Sequence, residues 1–384
     1  MESTDHTNKL LEILRELIAV KTENPPGNEK ALADRLQSFF GSYSIATAVD
    51  TVKQGRANLL VRIEGDHPGP VLAFNGHLDT VPVSDQWSFD PYKCSIAGGR
   101  LVGLGSTDMK AGLAAMALAA IKANERRNRM HGVLSLVFVA DEERTNLGTK
   151  DFLARYERPD YVVIGEPTNL DLVTSNRGTL RLKLKTHGLA AHSSNPAAGV
   201  NAIYAMVKAV SQLEVLASTL SQDKGHYTEK PSLAVTQISG GAAENIIPDT
   251  CEIIHDRRLV SGENIETVER QLVEILEQIQ QGEADFNITW ERIGSTVPWR
   301  LQAGSNLLEI CRKVYRECFG TEAECRDLGG TSEAGFFADS GIDTILFGPG
   351  NIAQAHTRDE YVEIDQVEKA FKYYSALINE ILIK

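Results

Sequence analysis

Leu10, Leu11, Ile13, Leu14, Leu17 and Ile18 recur at helical spacing and predict a helix over residues 8–20. Asn24-Pro25-Pro26-Gly27-Asn28 breaks it, and a second amphipathic helix is expected over residues 29–41. Short apolar runs at 58–63 and 71–74 read as strands, 87–91 as loop, and 93–102 as a hairpin turning at Gly98-Gly99. The alanine-rich stretch 109–123 carries charge only at its ends, the pattern of a helix buried on nearly all sides. Asp108 stands where its N-cap belongs. Residues 133–140, 161–164 and 344–347 are apolar enough for strands buried on both faces.

The segments at the ends of these strands share one chemistry. Residues 71–74 lead into His77 and Asp79, 133–140 into Asp141-Glu142-Glu143, 161–164 into Glu166, and 344–347 into Gly348-Pro349-Gly350, with His356 six residues beyond. With helices between several of them, the strands predict an α/β fold, a doubly wound and mostly parallel sheet. Such sheets bind ligands beyond the carboxyl ends of their strands, so His77, Asp108, Glu143, Glu166 and His356 are expected to converge. Residues two apart in an extended segment share a face, so Asp79 is placed to orient a metal-binding His77. From 178 to 294 the pattern changes to strand 178–187, helix 200–220, strands 233–238 and 250–259, helix 263–281 and strand 286–290. That βαββαβ order predicts an inserted ferredoxin-like α+β module. The expected division is therefore 1–177 with 295–384 as one discontinuous domain, and 178–294 as the insertion. A helix over 304–318 returns the chain to the first domain.

A length of 384 residues fits two domains, and 42% apolar residues fits a globular chain. No run of about 18 apolar residues suggests a membrane span. The polar N-terminus lacks a signal-peptide pattern, so the expected location is cytoplasmic. Asp and Glu outnumber Lys and Arg by 52 to 39, a formal charge of −13, which disfavours nucleic acid and anionic membranes as partners. The five cysteines, Cys94, Cys251, Cys311, Cys318 and Cys325, are irregularly spaced and read as reduced thiols. If the carboxylates converge, they cannot all stay ionised without cations. Two histidines among several carboxylates suggest a two-metal site, suited to zinc, cobalt or manganese. Adjacent glutamates allow one, Glu143, to bind metal and the other, Glu142, to act as general base.

Eight segments in order carry a family resemblance: GHLDTVP (76–82), GLGSTDMKAG (103–112), ADEE (140–143), GEPT (165–168), AAHSSNP (190–196), NIIPD (245–249), GGTSEAG (329–335) and FGPGNIAQAH (347–356). The chain resembles the M20 metallopeptidase family, the acetylornithine deacetylase, succinyl-diaminopimelate desuccinylase and carboxypeptidase G group. The resemblance implies one metal held by His77, Asp108 and Glu166, and a second by Glu143, His356 and a bridging Asp108. It implies a cis Asp108–Met109 peptide, Asp79 orienting His77, and Glu142 as the base for a water between the metals. His192 would stabilise the oxyanion across a homodimer interface formed by the inserted domain. Arg258 and Asn245 would hold a substrate carboxylate, and Gly330, Thr331 and Ser332 would line the pocket. The implied reaction is removal of an N-acyl group from an amino acid or related small carboxylated amide. FGPG, QAH and Asp359-Glu360-Tyr361 look most like acetylornithine deacetylase, whereas GGTSEAG looks more like the desuccinylases. The alternatives are a di- or aminopeptidase, a desuccinylase, or a non-catalytic relative. His6, His67, His131, His187, His226 and His255 match no motif and read as structural or surface residues.

Overall fold

The computed structural model describes residues 2–84, 86–222, 230–283 and 285–383; His226 lies outside the described residues. The helices are α1 (Glu2–Ile18), α2 (Glu29–Gly41), α3 (Ala111–Asn124), α4 (Leu147–Arg155), α5 (Ala202–Ser221), α6 (Ile265–Gly282), α7 (Asn306–Phe319), α8 (Ala334–Asp339) and α9 (Ile364–Leu382). The strands, in chain order, are β1 (Ala46–Lys53), β2 (Arg56–Glu64), β3 (His67–His77), β4 (Ser95–Ala97), β5 (Arg100–Val102), β6 (His131–Val139), β7 (Tyr161–Ile164), β8 (Leu172–Asn176), β9 (Gly178–His187), β10 (Ala191–His192), β11 (Ser232–Gly240), β12 (Ile246–Ile247), β13 (Thr250–Leu259), β14 (Asn287–Thr296), β15 (Trp299–Arg300), β16 (Cys325–Asp327), β17 (Asp343–Leu346) and β18 (Tyr361–Glu363). No described helix is long and apolar enough to cross a membrane. All five cysteines are free thiols.

The chain forms two compact units: Met1–Thr174 with Leu301–Leu328 and Ser332–Lys384, and Ser175–Arg300 with Gly329–Thr331. In the first, the sheet runs β1-β2-β6-β3-β7-β17-β8. Its centre, β6-β3-β7-β17, is parallel, while β1 and β2 extend one side antiparallel and β8 returns antiparallel to β17. Every residue of α3 from Ala111 to Ile121 is buried. Small side chains make that position possible: a Cβ on Gly112 would stand 2.3 Å from the carbonyl oxygen of Gly165. Tyr373 and Tyr374 of α9, with Phe74 and Phe347, fill the same core. Asp108 does not cap α3. The helix starts three residues later, after an irregular turn over Ser106–Lys110, and its N-terminus has no side-chain cap bond.

In the second unit, β11-β13-β9-β14 form an antiparallel sheet, the strand order of a ferredoxin-like module. Inward residues of α5 (Ala202, Ala205, Met206, Ala209, Leu213) and α6 (Ile265, Val268, Leu272, Leu276) share one core with Leu180, Leu182 and Leu184 of β9. Asn201 and Asn264 cap the two helices, accepting from the Ile203 and Thr267 amides at 2.9 and 3.1 Å. β13 pairs with β9 residue for residue from Thr250 to Leu259. Its pleat buries Cys251, Ile253, His255, Arg257 and Leu259 and turns Asp256 and Arg258 the other way. On its other side it pairs with β11, where the register shifts between Val235 and Gln237.

Candidate active site

The parallel strands deliver the candidate residues to one end of the sheet. β3 ends on His77, β6 leads into Glu142 and Glu143, β7 into Glu166, and the segment after β17 reaches His356 in a left-handed conformation, φ 58°. Asp108 arrives on the turn before α3. That turn is held by Glu360, whose carboxylate accepts the N–H groups of Gly105 (2.8 Å), Thr107 (2.8 Å) and Asp108 (3.0 Å). Burial pushes the Glu360 carboxyl up to about 7, against the pull of those donors. The Asp108–Met109 peptide is cis. Met109 packs so closely that a Cβ on Gly76 would stand 2.3 Å from its Cε, so the glycine lets the Met109 side chain lie against β3 just before His77.

Asp108 faces a different histidine with each oxygen. Oδ1 lies 3.0 Å from Nε2 of His77, and Oδ2 lies 3.2 Å from Nε2 of His356. Glu166 Oε1 is 3.9 Å from His77 Nε2, and Glu143 Oε1 is 3.3 Å from His356 Nε2. Donor atoms of His77, Asp108 and Glu143 all fall within 4.8 Å of one another. The arrangement brings all five expected ligands together around a carboxylate with two divergent oxygens. Two imidazoles with carboxylates on either side of such a bridge fit a pair of divalent cations.

The electrostatics agree with that fit. Burial raises Glu142, and Glu166, Glu143 and Glu333 raise it further, leaving it well above the usual carboxylate range. Burial and Asp108 do the same to Glu166. Asp108 is the exception: burial pushes it up, but hydrogen bonds from His356 and His77 hold it well below the usual range. His356 is pushed up to about 11 by Asp108 and Glu143, and His77 is raised by Asp108 despite its burial. The site thus gathers carboxylates that ionise only against positive charge.

The orientation of His77 takes a different form from the expected one. Its Nδ1 lies 2.9 Å from the backbone oxygen of Asp79 and 3.7 Å from the Asp79 carboxylate. Nδ1–H donating to that carbonyl turns Nε2 towards Asp108. The carboxylate instead accepts the amides of Glu142 (3.1 Å, Oδ1) and Glu143 (3.2 Å, Oδ2). Behind it lie Asn24, Glu29, Arg56 and Asp141, none of them among the residues expected from sequence. Glu333 is another such residue: it is fully buried, accepts from Thr149 Oγ1, and is pushed up to about 7 by burial. The only cue to it in the sequence is its place in GGTSEAG.

Ser332 belongs to the first unit, where it is fully buried and its Oγ accepts from the Ala334 amide at 3.3 Å. The other expected substrate-side residues lie in the second. His192 on β10 is exposed, with Nδ1 2.7 Å from Ser194 Oγ; its strand pairs with β12, and Ser193 N–H donates to the Asn245 carbonyl at 3.0 Å. Arg258, on β13, is half-buried and paired with Asp256 at 2.6 Å. Gly330 accepts the Arg177 amide at 3.0 Å, and Thr331 is half-buried.

Comparison with known proteins gives the family and the fold. The model of Peptidase family M20/M25/M40 matches residues 73–380. An acetylornithine deacetylase of Aliivibrio salmonicida is 30% identical over 360 residues, covering 92% of this chain and 91% of that protein. A succinyl-diaminopimelate desuccinylase of a Psychrobacter species is 29% identical over 402 residues, 99% of this chain and 98% of that one. Among solved structures, an M20 family metallo-carboxypeptidase of Sulfolobus solfataricus superposes with a TM-score of 0.81 at 20% identity, covering 97% of this chain and 99% of that one. A dinuclear metal-binding M20 peptidase of Bacillus subtilis gives 0.71 at 16% identity, covering 98% of both chains.

Proposed function

The chain belongs to peptidase family M20/M25/M40, a family of metal-dependent hydrolases, and from that premise we propose that it removes the N-acyl group from an amino acid or related small carboxylated amide. The observation that carries this reading is Asp108, with one oxygen on His77 and the other on His356. His77, Asp108 and Glu166 would hold one divalent cation, and Asp108, Glu143 and His356 the other, with zinc the best match to this donor set and cobalt or manganese next. Bound there, the cations would polarise the amide carbonyl and make water a better nucleophile near neutral pH.

The chain's own groups do the rest. Glu142 follows Asp141 on the same turn as Glu143, with its backbone held by Asp79, and its burial favours the proton-accepting role. Its carboxylate takes the proton of the attacking water and returns it to the leaving nitrogen. Arg258 and Asn245 bind the substrate carboxylate, the guanidinium fork matching its two oxygens, and Gly330, Thr331 and Ser332 line the substrate pocket. His192 stabilises the oxyanion, supplied by a second copy of the chain through the inserted domain (178–294), which also serves as lid. The catalytic domain is 1–177 with 295–384, and the site of action is the cytoplasm.

A hydrolysis screen of N-acetyl, N-formyl and N-succinyl amino acids beside dipeptides, with zinc, cobalt or manganese added, tests the reading. N-acetylornithine or another N-acetyl amino acid is expected to be the best substrate. Turnover confined to dipeptides, or no turnover at all with metal bound, would overturn it.

A further inference from the structure

The residues behind His77 form a closed arrangement around one cation. Arg56, at the start of β2, is 8% exposed. Its Nε donates to Glu29 Oε2 at 3.0 Å and its Nη2 pairs with Oε1 of the same carboxylate. Nη1 lies 2.8 Å from Asp141 Oδ1 and donates to Asn24 Oδ1 at 3.3 Å, while Nη2 is 3.9 Å from Asp79 Oδ2. The Asn24 amide closes the ring, donating to Asp79 Oδ2 at 2.8 Å and to Asp141 Oδ1 at 2.9 Å. Glu29, Asp79 and Asp141 are all buried, so the guanidinium is the counter-charge for three carboxylates. Even the neighbouring turn is fitted to it. Gly27 has φ 81°, and a Cβ there would stand 2.6 Å from Arg56 Cζ.

The ring ends on groups of both expected metal positions and on the base. The Asp79 carbonyl accepts from His77; its carboxylate holds the amides of Glu142 and Glu143; Asp141 is the residue before that pair and takes the left-handed φ of 71° that turns the chain there. The N-terminal segment is pinned to the same loop, with Asn24 N–H donating to the Thr80 carbonyl at 2.8 Å and Thr80 N–H to the Thr22 carbonyl at 3.1 Å.

We propose that Arg56 is a positioning residue for the dinuclear centre, setting through Asp79 and Asp141 the mutual placement of His77, Glu142 and Glu143. The proposal rests on the metal-hydrolase reading of the site. A planar fork is needed, because one residue must meet Glu29 edge-on while reaching Asp141 and Asp79 with its other edge; a lysine supplies the charge and only one donor group. Since Asp79 touches one ligand of each cation, loss of Arg56 weakens both binding steps together. Loss of a ligand confined to one position, such as His356, removes one step and spares the other.

The test is Co2+ binding by chelator competition and the visible spectrum of the bound Co2+, for wild type, Arg56→Met, Arg56→Lys and the double variant Arg56→Met/Glu29→Gln. Thermal melting of the metal-free proteins identifies the folded variants. The double variant removes Glu29, the one of the three stranded carboxylates that Arg56 meets with two donors, so it decides the matter if the single variant fails to fold. Wild type is expected to take two Co2+; if it takes none, the metal-hydrolase reading fails and the Arg56 proposal with it. With wild type loaded, the folded Met variants are expected to lose about 10–100-fold in affinity at both steps, with an altered spectrum, and Arg56→Lys to recover only part. Wild-type affinities and spectrum in a folded Met variant would overturn the Arg56 proposal and leave the hydrolase reading standing. So would the loss of a single step.

Discussion

His255 makes the second unit acid-sensitive. Its ring is fully buried on β13 between Val235 and Leu182, and neither nitrogen has a hydrogen-bond partner among the described residues. Burial draws its pKa from 6.5 down to about 4, with Asp256 opposing the shift and Arg257 adding to it. The native state therefore stays neutral in a range where the unfolded chain is protonated. Between those values the unfolded state binds more protons, so stability rises with pH. The contribution is complete above 6.5 and is lost as pH falls towards 4. At roughly 1.36 kcal/mol per unit the whole window is worth about 3 kcal/mol, and the part between pH 7 and pH 5 about 2 kcal/mol. His255→Leu removes the titrating group and keeps an apolar side chain in the core. Urea unfolding followed by the fluorescence of Trp290 and Trp299, both in the second unit, gives the stability at each pH. Wild type should lose about 2 kcal/mol more than the variant between pH 7 and pH 5. Equal losses would mean that the ring protonates in place at little cost, and burial would not be what sets its pKa.

Glu142→Gln should retain two metal ions by elemental analysis while kcat falls by about 10²–10⁴-fold, the usual worth of a general base. His77→Ala should bind one ion fewer, whereas Asp79→Ala should still bind two with affinity lowered by about 10–100-fold in chelator competition. Gly76→Ala places a methyl 2.3 Å from Met109 Cε and 2.8 Å from Leu113 Cδ2 and should lower stability by about 1–3 kcal/mol, read by urea unfolding. Stripping the protein with a chelator should abolish turnover, and zinc or cobalt, but not magnesium, should restore it, as read by rate against added metal.

The residues facing one another across the site are legible in the sequence because each comes after an apolar strand, and parallel strands bring their carboxyl ends together. His77, Glu143, Glu166 and His356 can be read this way, and Thr250–Leu259 and Gly178–His187 have the bounds expected from sequence. Asp108 is visible as a polar residue before a helix, but its neighbourhood in sequence favours a cap; only the packing of Met109 and the grip of Glu360 bring it to the histidines. β1 escapes a reading by pattern because its residues alternate between exposed and half-buried positions with no strong apolar side. The Arg56 ring is illegible for a different reason. Glu29, Arg56 and Asp141 are spread over more than a hundred residues, and each taken alone resembles a solvated charge at the end of an element. Nothing in local pattern distinguishes a charge that is buried by its partners from one that is exposed.

β13 carries a constraint on how this chain can vary over evolutionary time. It is paired on both sides, and its alternate residues divide between the apolar interior and the opposite face. Losing or gaining one codon within Thr250–Leu259 would exchange the two sets, driving Asp256 and Arg258 inward and expelling Ile253, His255 and Leu259. β11, at the sheet's edge, already absorbs one extra residue in its register shift at Val235–Gln237 without disturbing its neighbour. Length variation among related chains should therefore collect along β11 and at the turns, while β13 keeps its residue count even where its composition drifts.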